Sequence, residues 1–307
     1  MNFLMLHSHA HAEGFWPQVG EAALHALKDG LLSLPILFIA YLLMELLERS
    51  RRLNESILHA YSRKAGPALG GILGVVPQCG ISGAAATLFS TGSISVGTML
   101  AVFFATSDEM LPVMLSSLSE GKGIRLGTIL LILLVKAGMG VLLGYAADGI
   151  LGRWIRSHKD IHGFCHREHC ACDDDEGNVF FAALKHTFKI FLMLFAVIFA
   201  LELLFRFIGV ERLAGTVLSK PVLGELLVGL FGLIPNCSVS VVITESYLSG
   251  VISAGAMFAG LFANGGIGLL VLFRSNRNLK ENLAITAVLY GLSVVASVLI
   301  GLVAAIF

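Results

Sequence analysis

The second half of this chain repeats the first at a nearly constant spacing. Adding 158 to a residue number in the first half finds the same residue type in the second half, without a gap over the best-matched stretch. The matched pairs include Gly74 and Gly232, Pro77 and Pro235, Cys79 and Cys237, Ser82 and Ser240, Gly92 and Gly250, Ser95 and Ser253, and Gly97 and Gly255. A repeat of this length restricts the fold to one built from two related halves.

The composition places both halves in a membrane. Of the 307 residues, 56% are hydrophobic and 14% are charged, with a mean hydropathy of +0.84, whereas about 25% of the residues in soluble domains are charged. A long repeat in such an apolar chain is typical of secondary transporters. The formal net charge of zero argues against a nucleic-acid partner, which would require a dense cationic surface.

Eight apolar segments approach the length of about 20 residues that a helix needs to cross a bilayer. They cover residues 30–47, 66–90, 94–118, 124–147, 186–208, 222–248, 252–273 and 283–307. The sequence therefore predicts an all-α integral membrane protein. Its first transmembrane repeat covers residues 1–150, a polar His/Cys/acidic loop covers 151–180, and the second repeat covers 181–307.

Two kinds of segment carry breaks at matching positions. Segments 66–90 and 222–248 are rich in glycine and contain the Pro-x-Cys sequences of Pro77 and Pro235, and proline interrupts a helix. Each predicts a re-entrant hairpin of two half-helices with Pro-x-Cys at its tip. Segments 94–118 and 252–273 contain polar or glycine residues at 105–109 and 263–266. These predict transmembrane helices that are broken in the middle.

The distribution of lysine and arginine orients the chain in two alternative ways. If the hairpins do not cross the membrane, each half has three spans and the repeats are inverted. The side richer in lysine and arginine is then cytoplasmic, and both termini lie outside. If all eight segments cross, the repeats are parallel and the 148–180 loop lies outside. The matching breaks and the reduced thiols of that loop favour the inverted arrangement.

The hairpin tips and the broken helices are expected to meet near the bilayer midplane, because unpaired backbone survives there only around a cavity. Asp108 is the first choice for a cation ligand or proton relay, since adjacent residues on a helix diverge and only one of Asp108 and Glu109 can face the site. An interfacial position for this pair, packing roles for both cysteines, and a solvated Glu245 remain alternatives. The candidate ion-binding residues are Gln78, Cys79, Ser82, Thr106, Ser107, Asp108, Glu109, Asn236, Cys237, Ser240, Glu245 and Asn264.

The chemistry of these side chains narrows the cargo. Thiolates favour soft ions or trivalent arsenic, whereas carboxylate, amide and hydroxyl oxygens favour manganese or other hard cations. A second cluster in the polar loop has the composition of a transition-metal tract, and a solvated linker explains it equally well. Its candidate ligands are His162, Cys165, His166, His169, Cys170 and Cys172.

The two Pro-x-Cys sequences carry a resemblance to a known family. Residues 76–82 read Val-Pro-Gln-Cys-Gly-Ile-Ser, and residues 234–240 read Ile-Pro-Asn-Cys-Ser-Val-Ser. On these motifs and the span pattern of nearly the whole chain, the protein resembles the ten-helix heavy-metal exporters, also described as arsenic efflux proteins or manganese transporters. It is more distantly similar to the arsenical permeases, whose Pro-x-Cys-Ser-Cys motif has a second cysteine that is missing here.

The resemblance implies a bacterial inner-membrane, multi-pass exporter of a metal ion or metalloid. The two adjacent acidic residues favour a divalent cation such as Mn²⁺, exported by alternating access with a proton as the coupling ion; arsenite or organoarsenical efflux is the alternative. A cation channel is an alternative of another class. We expect no enzymatic activity and no cofactor besides the transported ion. The partners are the lipid bilayer and the cargo, and a homo-oligomer remains open.

Overall fold

A computed structural model describes residues 55–76, 79–107, 109–119, 124–152, 223–276 and 278–306, together with scattered positions at 19–39 and 155–199. Over these residues the regular structure is entirely α-helical, which confirms the predicted all-α class. The helices are α1 Glu55–Gly74, α2 Cys79–Ser90, α3 Val96–Ala105, α4 Met110–Ser119, α5 Leu126–Leu151, α6 Leu223–Gly232, α7 Cys237–Leu248, α8 Ala254–Ala263, α9 Ile267–Ser275 and α10 Leu279–Ile306.

Within the described residues, four stretches are long and apolar enough to cross a membrane: Val96–Leu118, Leu126–Leu151, Ala254–Ser275 and Leu279–Val303. The first and third are 71% and 89% buried, whereas α5 and α10 are each 28% buried. The exposed faces of the two long helices carry leucine and valine, such as Leu134 and Leu299. These four stretches are compatible with a membrane protein, and among them α3–α4 and α8–α9 are the more buried.

The breaks fall where proline, glycine and polar residues predicted them. Segment 66–90 contains the second half of α1, which begins at Glu55 and ends at Gly74, and the whole of α2, which begins at Cys79. Segment 222–248 contains α6 and α7. The helices of the two broken segments end at Ala105 and Ala263. Segments 30–47 and 186–208 lie outside the described residues apart from scattered positions.

The sequence repeat extends to local structure. Ser95 and Ser253 are the N-caps of α3 and α8, with ψ angles of 160° and 161°, and each hydroxyl accepts a hydrogen bond from the backbone N–H three residues later. Gly92 and Gly250 follow α2 and α7 with φ angles of 82° and 75°. Both glycines end their helices with the same pair of backbone hydrogen bonds, a Schellman motif that requires a positive φ.

Close contacts between helices show how each half is arranged. A Cβ built on Gly74 would lie 2.7 Å from the Val102 carbonyl oxygen, so the end of α1 lies beside the end of α3. Because α3 begins at Val96, at its other end, α2 must carry the chain back along the length of α3. Gly232 lies against Gly260 of α8 in the same way. The carboxyl ends of α1 and α6 therefore lie level with the carboxyl ends of α3 and α8, respectively.

Contacts between α2 and α9, and between α4 and α7, join the two halves. A Cβ on Gly268 of α9 would lie 2.8 Å from the Ser82 carbonyl oxygen of α2. The Phe103 ring of α3 packs against Gly265 and Gly268. Each half therefore contributes helices to the surroundings of the other half's broken segment.

Candidate functional site

The first break lies immediately after α3. At Thr106 the backbone leaves the helix with φ −53° and ψ 126°, while its N–H still donates to the Val102 carbonyl. The Thr106 hydroxyl donates to the same carbonyl at 2.7 Å. Thr106 is 5% exposed and Ser107 is 1% exposed. The carboxyl end of α3 is thus enclosed by protein.

The second break lies after α8, and an asparagine side chain spans it. Asn264 leaves the helix with φ −76° and ψ 90°, and its Oδ1 accepts a hydrogen bond of 2.9 Å from the N–H of Gly266. Gly266 has a φ of 53° and precedes α9. This asparagine turn satisfies the amide of Gly266, directly before α9, so the chain can stop and restart a helix inside the protein.

A buried lysine connects the two breaks. Lys136 of α5 is fully buried. Its Nζ donates a hydrogen bond to the Thr106 carbonyl oxygen and another, at 3.4 Å, to the Leu261 carbonyl oxygen in the last turn of α8. The carboxyl end of a helix carries roughly half a negative charge. The lysine ammonium therefore offsets the dipoles of two discontinuous helices at one point.

The other end of α3 meets a residue of opposite charge, which also comes from α5. Asp148 is 9% exposed; its Oδ2 accepts a hydrogen bond of 2.8 Å from the Ser95 hydroxyl, and its Oδ1 accepts one of 2.8 Å from the Gly97 N–H. Lys136 and Asp148 are twelve residues apart, or about 18 Å along a helix. Helix α3, with ten residues, is about 15 Å long. The spacing of the two charges thus matches the length of the helix that they flank.

Small residues let α5 approach α3 between these charges. Gly140 and Gly144 lie every fourth residue between Lys136 and Asp148. A Cβ on Gly144 would lie 2.7 Å from both the Ala101 Cβ and the Gly97 carbonyl oxygen. This is the close glycine and alanine packing that brings helices together in a membrane, and it holds Lys136 against the end of α3.

In the second half, the carboxylate near the start of α8 comes from a different element. Glu225, in the first turn of α6, is 6% exposed. Its Oε1 lies against Gly255 in the first turn of α8, in the space that a Cβ at this position would need. Gly301 of α10 packs beside the same two residues, where α5 has Asp148 in the first half. A carboxylate thus lies at the start of both discontinuous helices, but it comes from different elements.

The structure encloses six of the predicted site residues. Those with a relative exposure of 5% or less are Ser82, Thr106, Ser107, Asn236, Ser240 and Asn264. Glu109 is half-buried. Glu245 is exposed, eight residues or about 12 Å along α7 from Cys237. The buried members thus include residues from both tips and both breaks.

Other predicted residues are not placed. Gln78 and Asp108 lie outside the described residues, and for Cys79 and Cys237 only the backbone, at the first positions of α2 and α7, is described. The loop residues His162, Cys165, His166, His169, Cys170 and Cys172 lie outside them as well. Among the residues that are described, no three His, Cys, Asp or Glu side chains form a group that could hold a metal ion.

Among the described residues, four buried charges were missed by the sequence reasoning, namely Lys136, Asp148, Glu225 and Glu281. Lys136 is the one charged residue between positions 126 and 147, and a charge within an apolar span indicates a function by default; that signal was available. Asp148 and Glu225 lie at the ends of apolar segments, where acidic residues usually face water. Their burial follows from contacts with helices that are distant in the sequence.

Comparisons with protein-family models, with curated protein sequences and with solved structures found no match for this chain. The function must therefore be argued from the chain's own residues.

Proposed function

We propose that the chain is a secondary transporter of the bacterial inner membrane that exports a metal ion or metalloid, with a divalent cation such as Mn²⁺ favoured. The observation that carries this proposal is the meeting of two discontinuous helices at buried ends, Thr106 and Asn264, beside the buried Lys136. Broken helices that end at a common buried point are the usual architecture of transport sites.

In this proposal the two halves are inverted repeats, with the α1–α2 and α6–α7 pairs as re-entrant hairpins. The reversal of the chain between α1 and α3 supports hairpins, since Gly74 lies beside the end of α3 and Val96 begins it. Both termini lie outside and the substrate reaches the site from either side in turn. The contacts of α2 with α9 and of α4 with α7 provide paired surfaces that can slide during alternating access.

The cargo ligands come from the acidic pair and the polar residues around it. Asp108 and Glu109 follow Thr106 and Ser107 in the chain, and their carboxylates supply the negative charge for a hard cation. Neutral oxygens come from Ser82, Ser107 and Asn236, which are buried. Proton release or uptake by one carboxylate couples export to the proton gradient in this proposal.

Arsenite or an organoarsenical is the second candidate cargo. Cys79 and Cys237 are the first residues of α2 and α7, and the amino end of a helix stabilises a thiolate. Two thiolates at matching positions would suit a soft metalloid. This candidate does not use the acidic pair, so the two cargoes predict different results for the same variants.

Reconstitution into liposomes tests the proposal. The vesicles contain the purified protein in their membrane and a Mn²⁺-quenched dye in their lumen. Uptake of Mn²⁺ is recorded with and without a pH gradient. We expect saturable Mn²⁺ flux that follows the gradient, at least about tenfold slower for Asp108→Asn because the variant lacks the charged ligand. Glu245→Gln is the control, since Glu245 is an exposed carboxylate, and it should transport normally.

The outcomes separate the candidates. Normal flux in Asp108→Asn would reject the acidic site, and arsenite transport that is lost in Cys79→Ser and Cys237→Ser would establish the second cargo. Flux that is strictly downhill and does not saturate would show a channel. If manganese, iron, zinc, cobalt and arsenite all fail to give a flux, transport of these ions is rejected. In that case, the metal content of a deletion strain should equal that of the wild-type strain.

A further inference from the structure

The ammonium of Lys136 lies where a small cation would be expected to bind. It contacts two main-chain carbonyl oxygens, those of Thr106 and Leu261, at the carboxyl ends of two discontinuous helices. Carbonyls at such helix ends coordinate cations in membrane transporters. Hard cations such as Mn²⁺ also favour oxygen ligands of this kind. The two carbonyls and the two helix dipoles thus form a cation-attracting site that a side chain of the protein already fills.

The position of the lysine makes simultaneous binding of a second cation unfavourable. Thr106 belongs to the proposed cargo site, and Asp108 and Glu109 follow it in the chain. Two like charges about 4 Å apart repel strongly even at an effective dielectric constant of about 20. A divalent cation that uses these carboxylates and the Thr106 end of α3 must therefore work against the ammonium or replace it.

We propose that Lys136 is a tethered occupant of the transport site, which holds the carboxyl ends of α3 and α8 together when no cargo is bound and which the incoming divalent cation displaces. This inference rests on the proposed transport function. The lysine stem has four carbons and rotatable bonds, so the ammonium can leave the two carbonyls while α5 stays packed against α3 through Gly140 and Gly144.

Displacement has a consequence that a purely structural lysine does not share. While the ammonium is in place, it links α3 of the first half to α8 of the second. When the cargo replaces it, the cation takes over the same two negative helix ends. An empty site thus keeps a compensating positive charge. This charge lets the empty protein change back to the conformation that faces the other side of the membrane.

The test measures Mn²⁺ binding to the purified full-length protein, using the electron paramagnetic resonance signal of free Mn²⁺. The variants are Lys136→Met, which removes the charge at similar volume, and Lys136→Arg, which keeps it. Lys280→Met is the matched control, since Lys280 is exposed at the start of α10. Proteoliposome transport with the same proteins gives KM and the maximal rate.

We expect Lys136→Met to bind Mn²⁺ at least about tenfold more tightly than the wild type, because a competing charge is gone. Its KM for transport should fall together with the maximal rate, since the cargo is released slowly. Lys136→Arg should bind no more tightly than the wild type, and Lys280→Met should be unchanged. A structural role alone predicts weaker binding, or none, in Lys136→Met.

Binding of Mn²⁺ by Lys136→Met that equals or falls below that of a transporting wild type would overturn this inference and leave the transport function standing. If neither protein binds or moves Mn²⁺, the proposed manganese function fails and the inference fails with it. Lys136→Gln is a second variant without the charge, which shows whether a folding defect is specific to methionine. If Lys136→Met and Lys136→Gln both fail to give monodisperse protein, the inference is also overturned, because a residue displaced in each cycle must be dispensable for folding.

Discussion

Replacing Asp148 should destabilise the protein more than its place near the end of a long helix indicates. The Asp148 carboxylate accepts two hydrogen bonds of 2.8 Å, from the Ser95 hydroxyl and the Gly97 N–H. Hydrogen bonds to a charged group contribute about 1.5–3 kcal/mol each, and a charge at a helix terminus adds about 0.3–1 kcal/mol. Asp148→Ala should therefore lower the free energy of unfolding by about 4 kcal/mol.

The Asp148→Asn variant separates charge from shape. An asparagine oxygen can still accept the Gly97 N–H, but the amide nitrogen cannot accept the Ser95 hydroxyl and the charge at the start of α3 is lost. The Ser95 oxygen already accepts the Thr98 N–H at 3.1 Å, so loss of its own acceptor also weakens the N-cap. We expect about half of the loss seen for Asp148→Ala.

Thermal unfolding of the purified protein in detergent, followed by fluorescence-detected gel filtration, measures these losses. At roughly 2–4 °C per kcal/mol, Asp148→Ala should lower the apparent melting temperature by roughly 8–16 °C. Glu245→Gln removes an exposed carboxylate and should change it by less than about 2 °C. A melting temperature for Asp148→Ala within that margin of the wild type would refute the capping role.

Two further predictions use the same unfolding measurement. Glu225→Ala should also lower the melting temperature, since Glu225 is the buried carboxylate at the start of α8; a value equal to that of Glu225→Gln would show that its charge has no role. Gly144→Ala should destabilise by about 1–3 kcal/mol, because its Cβ would meet Ala101 at 2.7 Å. Gly138→Ala on the same helix has nothing within 4 Å and should be neutral or stabilising by up to about 1 kcal/mol; equal effects of the two substitutions would contradict the close packing of α5 on α3.

Many of the helix breaks were predictable, because they depend on residues in the immediate sequence. Pro77 and Pro235 cannot continue a helix, and Gly265 and Gly266 weaken one. The helices α1, α6 and α8 end at Gly74, Gly232 and Ala263, shortly before these residues. The burial of Thr106, Asn236 and Asn264 was predicted on the same basis, since interrupted backbone in an apolar chain must be enclosed by protein.

The charges that complete the site were not predictable in this way, because their partners are far apart in the chain. Lys136 reaches Thr106 across 30 residues and Leu261 across 125, and Asp148 reaches Gly97 across 51. Hydropathy over a window of about 20 residues averages one lysine into its apolar neighbours. The functional signal of Lys136 is its isolation within that window, not its effect on the average.

Within the described residues, α3 and α8 have separate carboxylates near their starts but share one lysine at their carboxyl ends. Each discontinuous helix needs negative charge at its start, and Asp148 and Glu225 supply it separately because the two starts have different neighbours. The carboxyl ends of α3 and α8 instead converge on one ammonium. A second lysine there would repel the first. The repeat is therefore asymmetric at this point, and a cation that replaces Lys136 would act on both halves at once.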